Sequence, residues 1–379
     1  AQWQHRNRRC LMSSTEPSSG GFNSIRVLVP GIGTRFRCGG LNVALQTARL
    51  LSTLLPTEVV TYRERSEQHP FLNDLIRDES APGQALWVVS WGFDVPRSLA
   101  RLRGRPVVYQ AHSSGYGFVL PPGIPVVAVS RNTLGYWGDR APRNPLFWVP
   151  NALEPQWLER GARPSSSDRD AVTERPIDVL VQKRKSSPYV LNQLVPALKA
   201  QGLRVEVQNG WVEDLVDLFN RSKIYLYDSA EYWRGHGVSE GFGLPPLEAL
   251  ACGCVVFSSF NHALADTLTP GVTAHQIGQG TLENDLVRIR SSVHCPDPWM
   301  PAAETLDALL AESSESSWCL RWSRILAQLS DLRTHGALGL TSDSVLHSPS
   351  TRRLRWLQRR DRLRAKVVNR LSGWPWRVG

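Results

Sequence analysis

Short uninterrupted apolar runs alternate along this chain with stretches whose apolar residues recur every three or four positions, and the whole alternation occurs twice. The first round opens on SIRVLVPGIG, where Ile25 to Val29 reads as a buried strand leading into a glycine-rich loop. GGLNVALQTARLLSTLL follows as a helix, with Leu41, Ala44, Leu45, Ala48 and Leu51 on one face. EVVTY, ALWVVSW, PVVYQAH and PVVAVS are further strands separated by polar or helical stretches. Runs apolar on both faces of a strand, spaced by helices, are the mark of a parallel sheet covered on both sides.

The second round begins after VPNALEPQWLERGARPSSSDRDAVTERP, a segment rich in proline, serine and charge. IDVLVQ reads as a strand, YVLNQLVPALKAQG as a helix ending at a glycine, and RVEVQ as a strand. VEDLVDLFNRS is a helix, KIYLYDS a strand, PPLEALACG a helix and VVFSS a strand. The expected class is therefore α/β, with two Rossmann-like domains facing across a cleft. The expected divisions are a disordered leader at 1–23, a first domain at 24–155, a linker at 156–176 and a second domain at 177–335. A basic amphipathic tail at 345–379 completes the chain.

Composition leaves that picture unchanged: 379 residues, 41% hydrophobic and 21% charged, suit two globular domains. The formal net charge of +10 favours anionic partners. Six scattered cysteines, with no C-x-x-C pair, give neither a zinc site nor a disulfide framework, and Cys252 and Cys254 read as buried thiols. The start of the chain is basic and then Ser/Gly-rich without the apolar core of a secretory signal, and no run approaches the roughly 20 residues of a membrane span. A cytoplasmic enzyme is expected. The tail concentrates nine cations within residues 352–370, with Trp356, Leu363, Val367 and Leu371 interleaved, which suits the inner face of an anionic membrane, the alternative being a helix that crosses back onto the first domain. No nucleic-acid-binding motif accompanies those charges.

Candidate chemistry centres on SEGFGLPPLEALACGC, residues 239–254, where Glu240 and Glu248 stand eight positions apart around a glycine turn. Gly241 and Gly243 permit a sharp turn close to a ligand, and Pro245 and Pro246 suit the start of a helix. A helix N-terminus favours a phosphate, and Glu248 is expected in its first turn. Carboxylates accept hydrogen bonds from sugar hydroxyls, so Glu240 and Glu248 are positioned to hold two sugars flanking a diphosphate.

This stretch resembles the donor-site signature of the family 4 glycosyltransferases, retaining enzymes of the GT-B fold, with Glu240, Gly241, Phe242, Gly243, Leu244, Pro245, Glu248, Ala249 and Gly253 in register. The resemblance implies that Glu240 contacts the transferred sugar and Glu248 the nucleotide ribose, while the backbone from Phe242 to Leu244 meets sugar and diphosphate. CGGLNVAL is similar to the family's first glycine turn, which would bring Gly39 and Gly40 to the donor phosphates. QAHSSG puts His112 where the family often has a histidine facing the donor sugar. VAVSRNT and VPNALE match further landmarks. The family usually has Gly-Arg and a later lysine after the first strand of its second domain; here the run is QKRKSS, and the diphosphate falls to Arg184 and Lys185, with Lys183 spare.

What the resemblance implies is a hexose-type transfer from a nucleoside-diphosphate sugar to a glycan or lipid-linked acceptor, in polysaccharide or envelope glycan synthesis. Anomeric configuration would be retained, with no metal and no other cofactor. Arg35, Arg37, Tyr116 and Phe118 are the first-domain candidates for meeting the acceptor. Two alternatives stay open: a nucleotide-sugar-binding module that has lost catalysis, with the compressed cation run as its symptom, and a sugar-nucleotide epimerase of the same fold.

Overall fold

The computed structural model describes residues 21–79, 83–164 and 169–334, together with Trp356, Arg359, Arg360, Leu363 and Val367. Residues 1–20 of the leader expected at 1–23, part of the linker and most of the tail thus lie outside the described residues, whereas Phe22, expected in that leader, is buried in a first-sheet cluster. Eleven strands are described: β1 (Ser24–Val29), β2 (Thr57–Thr61), β3 (Ala85–Val89), β4 (Val107–Ala111), β5 (Val126–Ala128), β6 (Leu146–Trp148), β7 (Ile177–Gln182), β8 (Val205–Gln208), β9 (Ser222–Tyr227), β10 (Val255–Ser258) and β11 (His275–Gln276). They form two separate sheets, β2-β1-β3-β4-β5-β6 and β11-β10-β9-β7-β8. Every pairing is parallel; Val27 on β1 sits opposite Val59 on one side and Val88 on the other.

Each sheet has an apolar cluster on both faces, as uninterrupted apolar strands require. In the first sheet Ile25, Val27 and Val29 pack under helix Gly39–Leu51, while Leu28, Trp87 and Tyr109 face helix Val95–Arg101 and Trp137. In the second, Leu180, Tyr225 and Val256 meet helix Leu244–Ala251, and Val179, Ile224 and Phe257 meet helix Leu282–His294. The stretch read as one helix over 189–202 is a π-turn, Val190–Leu194, followed by an α-helix, Val195–Ala200. Pro196 has no N–H to give to the preceding turn and its ring crowds it, so the chain widens there.

Two connections tie the halves together. Helix Pro155–Arg160, which straddles the expected boundary at 155/156, places Trp157 edge-on against Phe219, at 5.6 Å between centroids, in a cluster of the second sheet. The last long helix, Glu315–Thr334, leaves the second half and inserts Trp318, Trp322, Ile325, Leu326 and Leu329 into the first-sheet cluster beneath helix Gly39–Leu51. At its start Glu315 accepts hydrogen bonds from Gln46 (2.9 Å) and Arg49. No helix among the described residues is long and apolar enough to cross a membrane.

Candidate functional site

The two sheets meet at the C-terminal ends of their strands. The segment just after β4, residues 112–115, lies against the segment 237–241 that follows β9. Ser113 Oγ donates to the carbonyl of Ser239 (2.7 Å), Ser114 N–H donates to Ser239 Oγ (3.0 Å), and the Ser114 and Ser239 hydroxyls are 2.8 Å apart. Gly241 sits so close to His112 that a Cβ there would lie 1.5 Å from the His112 carbonyl oxygen. Only glycine permits that approach. Gly243 has φ +83 and caps the helix that follows, a left-handed conformation that glycine adopts without strain.

Glu240 lies at this junction and is 3% exposed. Its two oxygens are treated differently. Oε2 accepts from Tyr227 OH (2.5 Å), Trp233 Nε1 (2.7 Å) and Ser229 Oγ (3.1 Å). Oε1 meets Lys185 Nζ at 3.2 Å. Lys185 also stands over the Trp233 ring, 4.6 Å from its centroid. Its φ of +71 is unusual for a side-chain-bearing residue, so the turn after β7 takes a left-handed step without glycine. The backbone N–H of Glu240 donates to His262 Nδ1 (3.3 Å), which makes that nitrogen an acceptor; burial lowers the His262 pKa and the Glu240 charge opposes the shift.

Helix Leu244–Ala251 starts at Leu244, one residue earlier than expected, so Glu248 is its fifth residue and lies beyond the first turn. Pro245 and Pro246 remove two of the donors that a helix N-terminus normally offers. The amides that can face an anion are then those of the turn before it, and Gly241, Phe242 and Gly243 donate to no backbone carbonyl among the described residues. Glu248 is half-buried, and desolvation, together with the charge of Glu154, pushes its pKa up to about 8 against the pull of Lys185. Phe242 is buried and Leu244 half-buried, both in the second-domain cluster, so both serve the turn through packing.

The remaining candidates divide. His112, at the end of β4, has a buried Nε2 with no hydrogen-bond partner, and burial lowers its pKa to about 4, so the ring is neutral near pH 7. Arg184 and Lys183 are exposed beside Lys185. Gly39 and Gly40 open helix Gly39–Leu51, exposed, with no hydrogen bond to the Glu240 group among the described residues. Arg35 pairs with Glu64 (2.8 Å) and Arg37 is exposed. Tyr116 is half-buried and edge-on to the exposed Phe93, at 4.9 Å between centroids. Phe118 does not fit its expected surface role: it is 2% exposed and packs on Tyr109 and Trp137, because the loop after β4 folds over the sheet. Cys252 and Cys254 are buried as expected, and burial raises the Cys254 thiol to about 12.

Sequence reasoning missed Tyr227, Ser229, Trp233 and His262. Tyr227 ends a strand and Ser229 follows it, so both looked like ordinary strand-end residues. Trp233 lies on helix Ala230–His236, a polar stretch with no apolar period to announce it. Its closeness in sequence to Glu240, seven residues on, was the available signal.

Residues 198–289, which contain the Glu240 group except Lys185, match the family model described as glycosyl transferases group 1. No curated protein matches the chain. Among solved structures, a glycosyltransferase from Rickettsia africae ESF-5 aligns at TM-score 0.59 and 12% identity, over 81% of this chain and 98% of that one. Sucrose-phosphate synthase from Thermosynechococcus elongatus aligns at TM-score 0.56 and 14% identity, over 81% and 99%. Anabaena Alr3699/HepE, in complex with UDP and glucose, aligns at TM-score 0.54 and 14% identity, over 80% and 99%. With two parallel sheets meeting at their strand ends and these neighbours, the chain has the GT-B fold, and residues 198–289 in its second half are similar to the glycosyl transferases group 1 family.

Proposed function

We propose that this protein is a glycosyltransferase that moves a hexose-type sugar from a nucleoside-diphosphate sugar to a glycan or lipid-linked acceptor, with retention of anomeric configuration and without a metal. The observation that carries the reading is the buried Glu240 carboxylate between the two sheets, one oxygen filled by three donors and the other meeting only Lys185, within the residues that match the group 1 model. A structural ion pair alone would not need a glycine pressed against the opposite domain beside it.

In this reading Glu240 Oε1 takes hydroxyls of the transferred sugar and Glu248 takes the ribose. The bond between the anomeric carbon and the diphosphate oxygen breaks, and negative charge grows on that oxygen. Lys185, Arg184 and the free amides of the Gly241–Gly243 turn stabilise it from fixed positions, which is where preorganised charge lowers a barrier most. A phosphate oxygen of the donor receives the acceptor proton as the acceptor oxygen bonds to the same face of the sugar. His112, neutral near pH 7, orients the sugar hydroxyls. The complexes of Alr3699/HepE with UDP and with UDP and glucose support a nucleotide-sugar ligand for this fold. The basic tail would hold the enzyme on an anionic membrane surface, near a lipid-linked acceptor.

The test is a thermal-shift panel of UDP, GDP, ADP and dTDP with their common sugar conjugates, followed by transfer assays with the stabilising donor. Glu240→Gln should lower transfer by about a hundredfold or more while leaving the unmodified melting curve in place. Full activity in Glu240→Gln would overturn the assignment.

A further inference from the structure

Two side chains in the cleft touch both the candidate anion and the candidate cation: the Tyr227 hydroxyl, which donates to Glu240 Oε2 and lies 3.5 Å from Lys185 Nζ, and Trp233. Trp233 donates its indole N–H to Glu240 Oε2 at 2.7 Å and offers its ring face to Lys185 at 4.6 Å. We propose that Trp233 is a positioning residue that fixes which oxygen of Glu240 faces the donor sugar, and holds Lys185 ready for the diphosphate. This rests on the donor-site reading above.

The two oxygens of the Glu240 carboxylate are not equivalent. An ionised carboxylate has about four lone-pair directions, and a single oxygen is filled by two or three donors. Oε2 already accepts from Tyr227, Ser229 and Trp233. No sugar hydroxyl can be added there. Oε1 has Lys185 alone, at a length of 3.2 Å that a ligand hydroxyl can share or replace. Of the three donors on Oε2, Tyr227 is buried as the last residue of β9, and Ser229 is buried two residues on, at the N-cap of helix Ala230–His236, where its N–H donates to Ser259 Oγ (3.2 Å). Trp233 comes instead from a seven-residue surface helix, Ala230–His236, and completes the set from outside. The segment leaving that helix is the one zipped to Ser113 and Ser114.

Lys185 supplies the second observation. Its left-handed backbone is costly for a lysine. An ion pair to Glu240, a long contact to the Tyr227 hydroxyl (3.5 Å) and the face of an indole act together to keep its ammonium in the cleft. Two substitutions separate the two contacts. Trp233→Phe keeps a ring under Lys185 and deletes the N–H. Trp233→Leu removes both.

The experiment measures binding by calorimetry on the full chain, using the pairs UDP and UDP-glucose, GDP and GDP-mannose, and ADP and ADP-glucose. The pair that the wild type binds is then carried to both variants. Trp233→Phe should bind the free nucleoside diphosphate as the wild type does and bind its sugar conjugate about tenfold more weakly. Trp233→Leu should weaken both members of the pair. Wild-type affinity for the conjugate in Trp233→Phe would overturn the proposal. So would an equal loss for both ligands in that variant, which is what a merely structural role predicts. Failure of the wild type to bind any of the six would instead remove the donor-site reading, and this proposal with it. Unchanged melting curves in the absence of ligand check that both variants fold.

Discussion

Glu248 illustrates what a half-buried carboxylate does to a molecule before any ligand arrives. Its pKa is raised from 4.5 to about 8, first by desolvation and then by the neighbouring charge of Glu154. The folded protein therefore binds one more proton than the unfolded chain between those two values. Stability conferred by the protonated group is fully present below about pH 4.5 and falls as pH rises through about 8. His112 acts in the opposite sense, since a histidine held neutral by burial favours the fold as pH rises from about 4 to 6.5. Comparing the wild type with Glu248→Gln cancels the histidine. The wild-type melting temperature should fall relative to the variant between about pH 5 and 8 and run parallel to it above about pH 9. Parallel curves throughout would mean that Glu248 is ionised in the folded protein at neutral pH.

At the scale of elements, the buried strands were legible because strands covered on both faces are written as unbroken apolar runs, and ALWVVSW or IDVLVQ admit few other readings. β6 and β11 were not: Leu146–Trp148 is only half-buried at a sheet edge and His275–Gln276 is too short to carry a period. Gln46 and Thr47 are polar yet buried on helix Gly39–Leu51: Gln46 because helix Glu315–Thr334 crosses over and gives it partners in Ala152 and Glu315, and Thr47 because it faces β4, where Gln110 donates to its hydroxyl. That crossing depends on a contact 269 residues away in sequence, which local pattern cannot contain. The candidate site was legible as far as Glu240, the glycines and the cation run, whereas the residues that fix Glu240 lay in a polar helix. The tail is the complementary case, a pattern clear in sequence. Its described positions Trp356, Leu363 and Val367 are helical and exposed, within a narrow arc at 100° per residue, beside Arg359 and Arg360. Sedimentation with vesicles containing phosphatidylserine should recover the full chain at low salt, less of it at high salt, and little after deletion of residues 345–379. Equal recovery with and without the tail would remove the membrane role.

At the scale of the whole molecule, each sheet has its own pair of apolar clusters, with Val129 of the first half reaching into a second-sheet cluster and helix Glu315–Thr334 into a first-sheet one, while the contacts beside Glu240 form a polar seam. Ser113 and Ser114 bond to Ser239, the Arg131 N–H donates to Asp266, and Gly241 fits against His112. Hydrogen bonds of this kind contribute about 1 kcal/mol each, far less than the apolar burial within either half. Opening this seam would break few bonds and leave both sheets folded, and a donor that touches both halves would favour the closed arrangement. Gly241→Ala tests this directly. A methyl group there would lie 1.5 Å from the His112 carbonyl oxygen, a distance no side-chain rearrangement relieves because the obstacle is backbone. The variant should therefore fold with both sheets intact, sample a more open arrangement, and bind the donor at least tenfold more weakly. Small-angle scattering should report a larger radius of gyration for the variant, unchanged by donor concentrations that contract the wild type. A variant with the wild-type radius and wild-type donor affinity would mean that the seam is not where the halves close, and the Glu240 carboxylate would then have to meet its ligand from the second half alone.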